Sequence, residues 1–241
     1  MKKPIIGMIS PRNEEEDRPF MNYTKFINTY PKRIIEAGGT PIGLIFPNGK
    51  FQIDEMDICD GFVLQGGPII ESYQINAVKY AIDKKKPILG ICLGMQTMAG
   101  LNWVCSELGD NVTFSEVENF FKPEYEDYFL EKQSGHDKLN HFYLSQIEKS
   151  KHEVIIEKDS ILYNLFGEKI LVPSIHGYVV KDNVLDSSNL FKVTGKSPDG
   201  IIEAVEGKEQ DHFIVGVQFH PELEENYLPL FKKLVKESKR K

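Results

Sequence analysis

The chain has 241 residues, 41% of them hydrophobic and 27% charged, which is enough for one large α/β core without a second domain. A net charge of −7 argues against nucleic acid as the main partner, and no stretch approaches the roughly 20 apolar residues of a membrane span. Three cysteines, Cys59, Cys92 and Cys105, have neither metal-ligand spacing nor an even disulfide framework, so a reducing, cytoplasmic location is expected.

Pro4 to Ile9 reads as a first strand, too short to be a signal peptide before the acidic cluster Glu14 to Asp17, itself a solvated loop. Phe26, Ile27, Tyr30, Ile34 and Ile35 recur at helical spacing and predict a helix over about Tyr23 to Ala37, with Pro31 at a first-turn position or a kink. Gly38-Gly39 stops it, Thr40 to Phe46 is the second strand, and Phe51 to Met56 a short connection. Asp60 to Gln65 is a third strand ending at Gly66-Gly67-Pro68. Glu71 to Lys85 is helical by the spacing of Tyr73, Ala77, Val78, Ala81 and Ile82.

Pro87 to Ile91 is apolar and short, a buried strand, and Leu93 to Leu101 opens a helix. This strand–helix–strand alternation predicts a mostly parallel sheet with helices on both faces and ligands at the strands' carboxyl ends, where Gly66-Gly67 and Cys92 both fall. Phe114 to His141 is aromatic and charged without a clean period and is expected to be irregular. His136 and His141 have no nearby cysteine and make no metal site. Later strands are expected at Glu153 to Glu157, Ile170 to Val172, Phe191 to Thr194, Ile201 to Val205 and Phe213 to Phe219, with a helical turn or two over Ser160 to Phe166. Asp199-Gly200 marks a hairpin, and Asn226 to Glu237 the closing helix. The later strands form a smaller antiparallel portion, and residues 1–241 are read as a single domain.

Two stretches carry chemistry. In Gly90-Ile-Cys-Leu-Gly94 a cysteine stands between glycines two residues away on each side. A turn tight enough to lift a nucleophile off a strand onto a helix N-terminus needs both glycines, and the helix dipole there favours an anion. The plainer alternative is a buried structural cysteine between two turn glycines. His220 ends an apolar strand, with Glu222 two residues on. A cysteine nucleophile needs a base, and the base needs a group that fixes its tautomer.

Gly90-Ile-Cys-Leu-Gly-Met-Gln96 together with Val215-Gly-Val-Gln-Phe-His-Pro-Glu222 resembles the class I glutamine amidotransferase superfamily. Within it the chain is most similar to the γ-glutamyl hydrolase branch, peptidase C26, through Lys3 to Gly7, Ala37 to Pro41, Asp60 to Gly67, Ser174 to Gly177 and Ser197 to Ala204. The resemblance implies an amidotransferase-like, flavodoxin-like α/β fold, with Cys92 as nucleophile, His220 as base and Glu222 as orienter. It implies an oxyanion hole from the N–H groups of Gly67 and Leu93, and binding of a glutamyl group by Gln96, Ser174, Ile175, His176 and Gly177. Ser174 equally fits a turn residue and His176 a core histidine.

The branch often has arginine where this chain has Leu93, aspartate where it has Pro68, and a longer acidic stretch where it has Glu71 to Gln74. These departures bear on the particular substrate rather than on thioester chemistry. The implied activity is hydrolysis of a small γ-glutamyl compound to glutamate and an amine, with no cofactor, metal, nucleic acid or membrane. A homodimer is left open. The alternative is a glutaminase subunit that passes ammonia to a separate synthase; a silent binding protein is opposed by the complete triad.

Overall fold

The short apolar runs of the sequence assemble edge to edge, and the alternation of their side chains decides what covers each face. The structure is a computed structural model that describes residues 2–13, 22–133, 147–185 and 188–239. In chain order the first half has β1 (Ile5–Ile9), β2 (Arg12–Asn13), β3 (Tyr23–Thr24), α1 (Thr29–Glu36), β4 (Thr40–Gly43), α2 (Ile53–Asp57), β5 (Gly61–Leu64), α3 (Ser72–Asp83), β6 (Ile88–Ile91) and α4 (Leu93–Leu108). Then come α5 (Phe114–Phe120), α6 (Glu126–Phe129), β7 (Leu130–Lys132), β8 (His152–Ile156), α7 (Ile161–Phe166), β9 (Lys169–Val172), β10 (Tyr178–Val180), β11 (Phe191–Lys196), β12 (Ile202–Gly207), β13 (Ile214–Val217) and α8 (Leu228–Glu237).

Among these residues one nine-stranded sheet runs β4-β1-β5-β6-β13-β12-β11-β8-β9. The five strands from β4 to β13 are parallel; the other four are joined antiparallel. This is the expected mostly parallel sheet, with the antiparallel portion continuing it. Two ribbons, β2-β3 and β7-β10, stand apart from it.

The parallel strands are buried on both faces, as crossover helices require. In β6, Ile88 packs with the α3 and α4 side chains, while Leu89 and Ile91 pack with Tyr30 and Ile34 of α1 and Leu230, Phe231 and Leu234 of α8. Helices therefore cover both faces. Because the five strands point the same way, Ser10, Gln65, Cys92 and Gln218 all emerge at one edge of the sheet.

The sequence places most elements, with two corrections. The first helix begins at Thr29 rather than Tyr23, and Tyr23–Thr24 pairs instead with Arg12–Asn13. Pro31 in the first turn has no N–H to give to the Ile27 carbonyl, so the ladder cannot run further back. The stretch after Phe114 is also more regular than expected. Through Lys132 it holds α5, α6 and β7, and α5 opens with a reciprocal Thr113–Glu116 capping box. Both helices are too short for a hydrophobic period to register, and their aromatic residues gather on Trp103 of α4. The acidic cluster Glu14 to Asp17 and the pair His136 and His141 lie outside the described residues. No helix among the described residues is long and apolar enough to cross a membrane.

Candidate active site

The glycines around Cys92 are there because backbone meets backbone. A methyl on Gly90 would stand 2.6 Å from the carbonyl carbon and oxygen of Gly94, and one on Gly94 would stand 2.5 Å from the Leu64 carbonyl oxygen. β6, α4 and β5 thus close to a distance that no side chain permits. Cys92 sits at the corner with φ 53° and ψ −108°, a left-handed conformation unusual for a residue with a Cβ. Such strain costs on the order of 1–3 kcal/mol and persists only where the surroundings over-determine it. Its N–H donates to the Val217 carbonyl at 2.7 Å, tying the corner to β13. The sulfur lies at the N-terminus of the sixteen-residue α4, against the Ile175 carbonyl oxygen at 3.8 Å.

The histidine arrives from the neighbouring strand. His220 follows β13, and its N–H donates to the Pro173 carbonyl at 2.9 Å. Its Nδ1 is 2.7 Å from Glu222 Oε1, and the Glu222 side chain is only 3% exposed. Burial pushes the imidazolium pKa down, but the charges of Glu222 and Cys92 outweigh it and hold His220 well above the usual histidine range. Nε2 makes no hydrogen bond of good geometry, although the sulfur is near enough for its charge to act on the ring. Gly66 fits between the two groups: a methyl there would lie 3.1 Å from His220 Cε1 and 3.4 Å from Cys92 Cβ.

Leu93 is the first residue of α4, and the first amides of a helix have no acceptor within it. Gly67 adjoins it, since a methyl on Gly67 would stand 3.4 Å from Leu93 Cδ2. Gln96 is buried, and its Nε2 donates to the Tyr178 carbonyl at 2.9 Å and to Gln218 Oε1 at 3.1 Å. Ser174 is fully buried with its hydroxyl unpartnered, whereas His176 is buried with Nε2 3.4 Å from Glu203 Oε1. His152 approaches the same carboxylate at 3.0 Å. The segment Ser174 to Gly177 therefore runs past the sulfur at Ile175 and is anchored from behind at His176. No group of three or more His, Cys, Asp or Glu side chains among the described residues is arranged to hold a metal ion.

Two residues of α1 belong to this arrangement and escaped the sequence reading. The buried Tyr30 hydroxyl accepts from the Gly66 N–H at 3.0 Å. Burial first, then the neighbouring Glu222 charge, holds its phenol well above the usual range. Arg33 Nε donates to the Glu222 carbonyl at 3.0 Å. In the sequence both look like ordinary members of a helix face; only the fold brings α1 against the His-Pro-Glu turn.

The model of the family described as Peptidase C26 matches residues 68–222, a span that holds Cys92, His220 and Glu222. Protein NtpR of Enterococcus hirae is 28% identical, the match covering 91% of each chain. A putative glutamine amidotransferase-like protein of Rickettsia prowazekii is 29% identical over 99% of both. A CTP synthase of Nautilia profundicola is 32% identical over 62% of this chain, but the matched region is only 29% of that enzyme's length. Among solved structures, the glutaminase domain of Trypanosoma brucei CTP synthase with bound acivicin superposes with a TM-score of 0.66 at 16% identity, covering 99% of this chain and 94% of that one. A glutamine amidotransferase of Thermotoga maritima gives a TM-score of 0.56 at 14% identity, covering 100% and 87%. At these identities the two structures attest the fold.

Proposed function

The chain belongs to the peptidase C26 family, within the class I glutamine amidotransferases, and from that premise we propose that it is a cysteine-dependent hydrolase of a γ-glutamyl amide. The observation that carries this reading is a strained cysteine at a helix N-terminus beside a partly buried histidine that is bonded to a buried glutamate at 2.7 Å.

In the proposed reaction the Cys92 sulfur attacks the γ-carbonyl carbon and a C–S bond forms. Charge on the carbonyl oxygen is met by the N–H groups of Leu93 and Gly67. The C–N bond then breaks as the His220 imidazolium gives its proton to the leaving amine. Water attacks the γ-glutamyl thioester, His220 takes its proton, the C–S bond breaks, and glutamate leaves with the thiolate restored. Glu222 fixes the tautomer of His220 and stabilises its charged form.

A second reading is a glutaminase that supplies ammonia to a separate synthase. It draws on the likeness to CTP synthases, of which this chain spans less than a third in the Nautilia enzyme. The two readings part on substrate size, because a larger leaving amine offers binding energy that ammonia cannot. The test is kcat/KM of the purified protein for glutamine and for γ-glutamyl amides of increasing size. The hydrolase reading expects partner-independent turnover that is best with an amide larger than glutamine. Glutamine as best substrate, with turnover raised strongly by a copurifying protein, favours the glutaminase.

A further inference from the structure

Helix α4 carries Cys92 at its start, and its far end opens onto a cavity of about 430 Å³. The walls come from the last turns of α4, from Asp110 just beyond it, from Tyr128 of α6, and from Asn183 and Asn189. At 1.5 Å per residue the cavity lies roughly 15–25 Å along the helix from the sulfur. Asn102 Nδ2 donates to the Val184 carbonyl at 2.8 Å, which ties one wall to the other.

The charge of this cavity has one sign. Among the described residues that line it there is no lysine, arginine or histidine, and Asp110 is the one carboxylate. Asn189 Nδ2 donates to Asp110 Oδ2 at 3.1 Å, which steadies that carboxylate without neutralising it. The sixteen-residue α4 also ends here, and the last carbonyls of a helix have no partner within it and carry its negative partial charge. Cys105, another lining residue, feels this field. Burial first, then the Asp110 charge, holds its thiol above the usual cysteine range; Lys79, which opposes this, is paired with Asp83 at 3.0 Å. A phosphate or carboxylate ligand would find no cation to meet it.

The cavity also has an aromatic side. Trp103 and Tyr128 both line it, stacked with ring centroids 5.3 Å apart and planes 3° from parallel. Tyr128 is nevertheless 61% exposed, so much of this aromatic surface is open to a ligand rather than used up in packing. Rings beside a carboxylate and a helix carboxyl end suit a positive charge that carries alkyl groups.

We infer that this cavity binds an organic ammonium ion, with its charge set toward Asp110 and the carboxyl end of α4 and its alkyl groups against Trp103 and Tyr128. The inference is independent of the hydrolase reading, since none of these residues takes part in the proposed reaction.

Trp103 is the chain's only tryptophan, so its emission reports on this cavity directly. The probe is choline chloride, compared at constant ionic strength with neohexanol, its uncharged carbon isostere. Choline is expected to change the emission saturably with a millimolar Kd, and to raise Tm as any ligand of the folded state does. Neohexanol should bind at least about threefold more weakly. Asp110→Asn, at an exposed position, should weaken choline about threefold, and Tyr128→Leu about threefold to tenfold.

Absence of both a saturable emission change and a rise in Tm with choline overturns the site. Equal affinity for neohexanol makes the cavity an apolar pocket and overturns the ammonium. Choline affinity unchanged in both variants puts the binding elsewhere on the chain and overturns the inference as well. Without choline, kcat/KM for γ-glutamyl amides should be the same in both variants as in wild type, so a failure of the hydrolase reading shows separately.

Discussion

At Cys92 the backbone has no room to move: methyl groups on Gly90 and Gly94 would stand 2.5–2.6 Å from main-chain atoms, and the cysteine itself is held at φ 53°. Along the segment whose Ile175 carbonyl touches the sulfur, the buried Ser174 hydroxyl has no partner, and no described residue would stand within 4 Å of a methyl on Gly177. The corner itself is over-determined, whereas the segment beside it keeps an unpartnered hydroxyl. On the proposed hydrolase reading, the difference follows from what each part does. A nucleophile gains from being held in one geometry before substrate arrives, whereas recognition needs groups whose partners arrive with it.

The largest effect should come from forcing the corner apart. Gly94→Ala sets a methyl against the Leu64 carbonyl, which belongs to the central β5 and cannot step aside as a flexible side chain would. Overpacking of a tight interior costs typically 1–3 kcal/mol and occasionally more. A backbone obstacle puts this site at the upper end, so the variant is expected to lose at least about 3 kcal/mol and nearly all activity. Denaturant unfolding of soluble protein checks it. A stability equal to wild type would mean that the strand and helix can separate, and that the corner is not rigid.

Cys92→Gly tests whether that rigidity is bound up with chemistry. It removes the proposed nucleophile, so turnover should fall by more than about a thousandfold. It also removes a Cβ from a positive-φ corner. Relief of roughly 1–3 kcal/mol of strain, less about 1 kcal/mol for the freer unfolded chain, predicts stability equal to wild type or up to about 2 kcal/mol higher. Thermal melts alongside glutamate release report both halves. Activity within tenfold of wild type would move the nucleophile elsewhere, and a large fall in stability would show that the corner is not strained.

What was legible in the sequence follows the same division. The elbow could be read from Gly90-Ile-Cys-Leu-Gly94 because its requirement is local: two glycines at fixed offsets let two elements touch. His220 and Glu222 were legible for the same reason, being two residues apart on one turn. The sheet was legible from short apolar runs between helical periods, and it is mostly parallel with helices on both faces. Tyr30 was not, because the amide it receives belongs to Gly66 on another strand, and in α1 it looks like one more core aromatic. Ser174 to Gly177 stood out only by resemblance, since nothing in four such residues fixes where they lie relative to a cysteine far away in the chain.

The third expected effect is smaller and graded, and it lies at the His220–Glu222 pair. Burial alone would lower the His220 pKa, but the charges of Glu222 and Cys92 raise it on folding well above its unfolded value near 6.5. The native state therefore binds the extra proton. The stability this confers is fully present below about pH 6.5 and is lost as pH rises through the folded pKa. Glu222→Gln keeps the shape but removes the larger of the two charges that raise His220, leaving burial, which lowers it. The stability gap between wild type and Glu222→Gln should thus be widest near pH 6 and narrow toward alkaline pH, at up to about 1.4 kcal/mol per unit within the titration. Urea unfolding of both proteins between about pH 6 and pH 10 measures it. A gap that is flat across this range would mean that the pair holds no extra proton in the folded state, and that the histidine is set by packing in the way the elbow is.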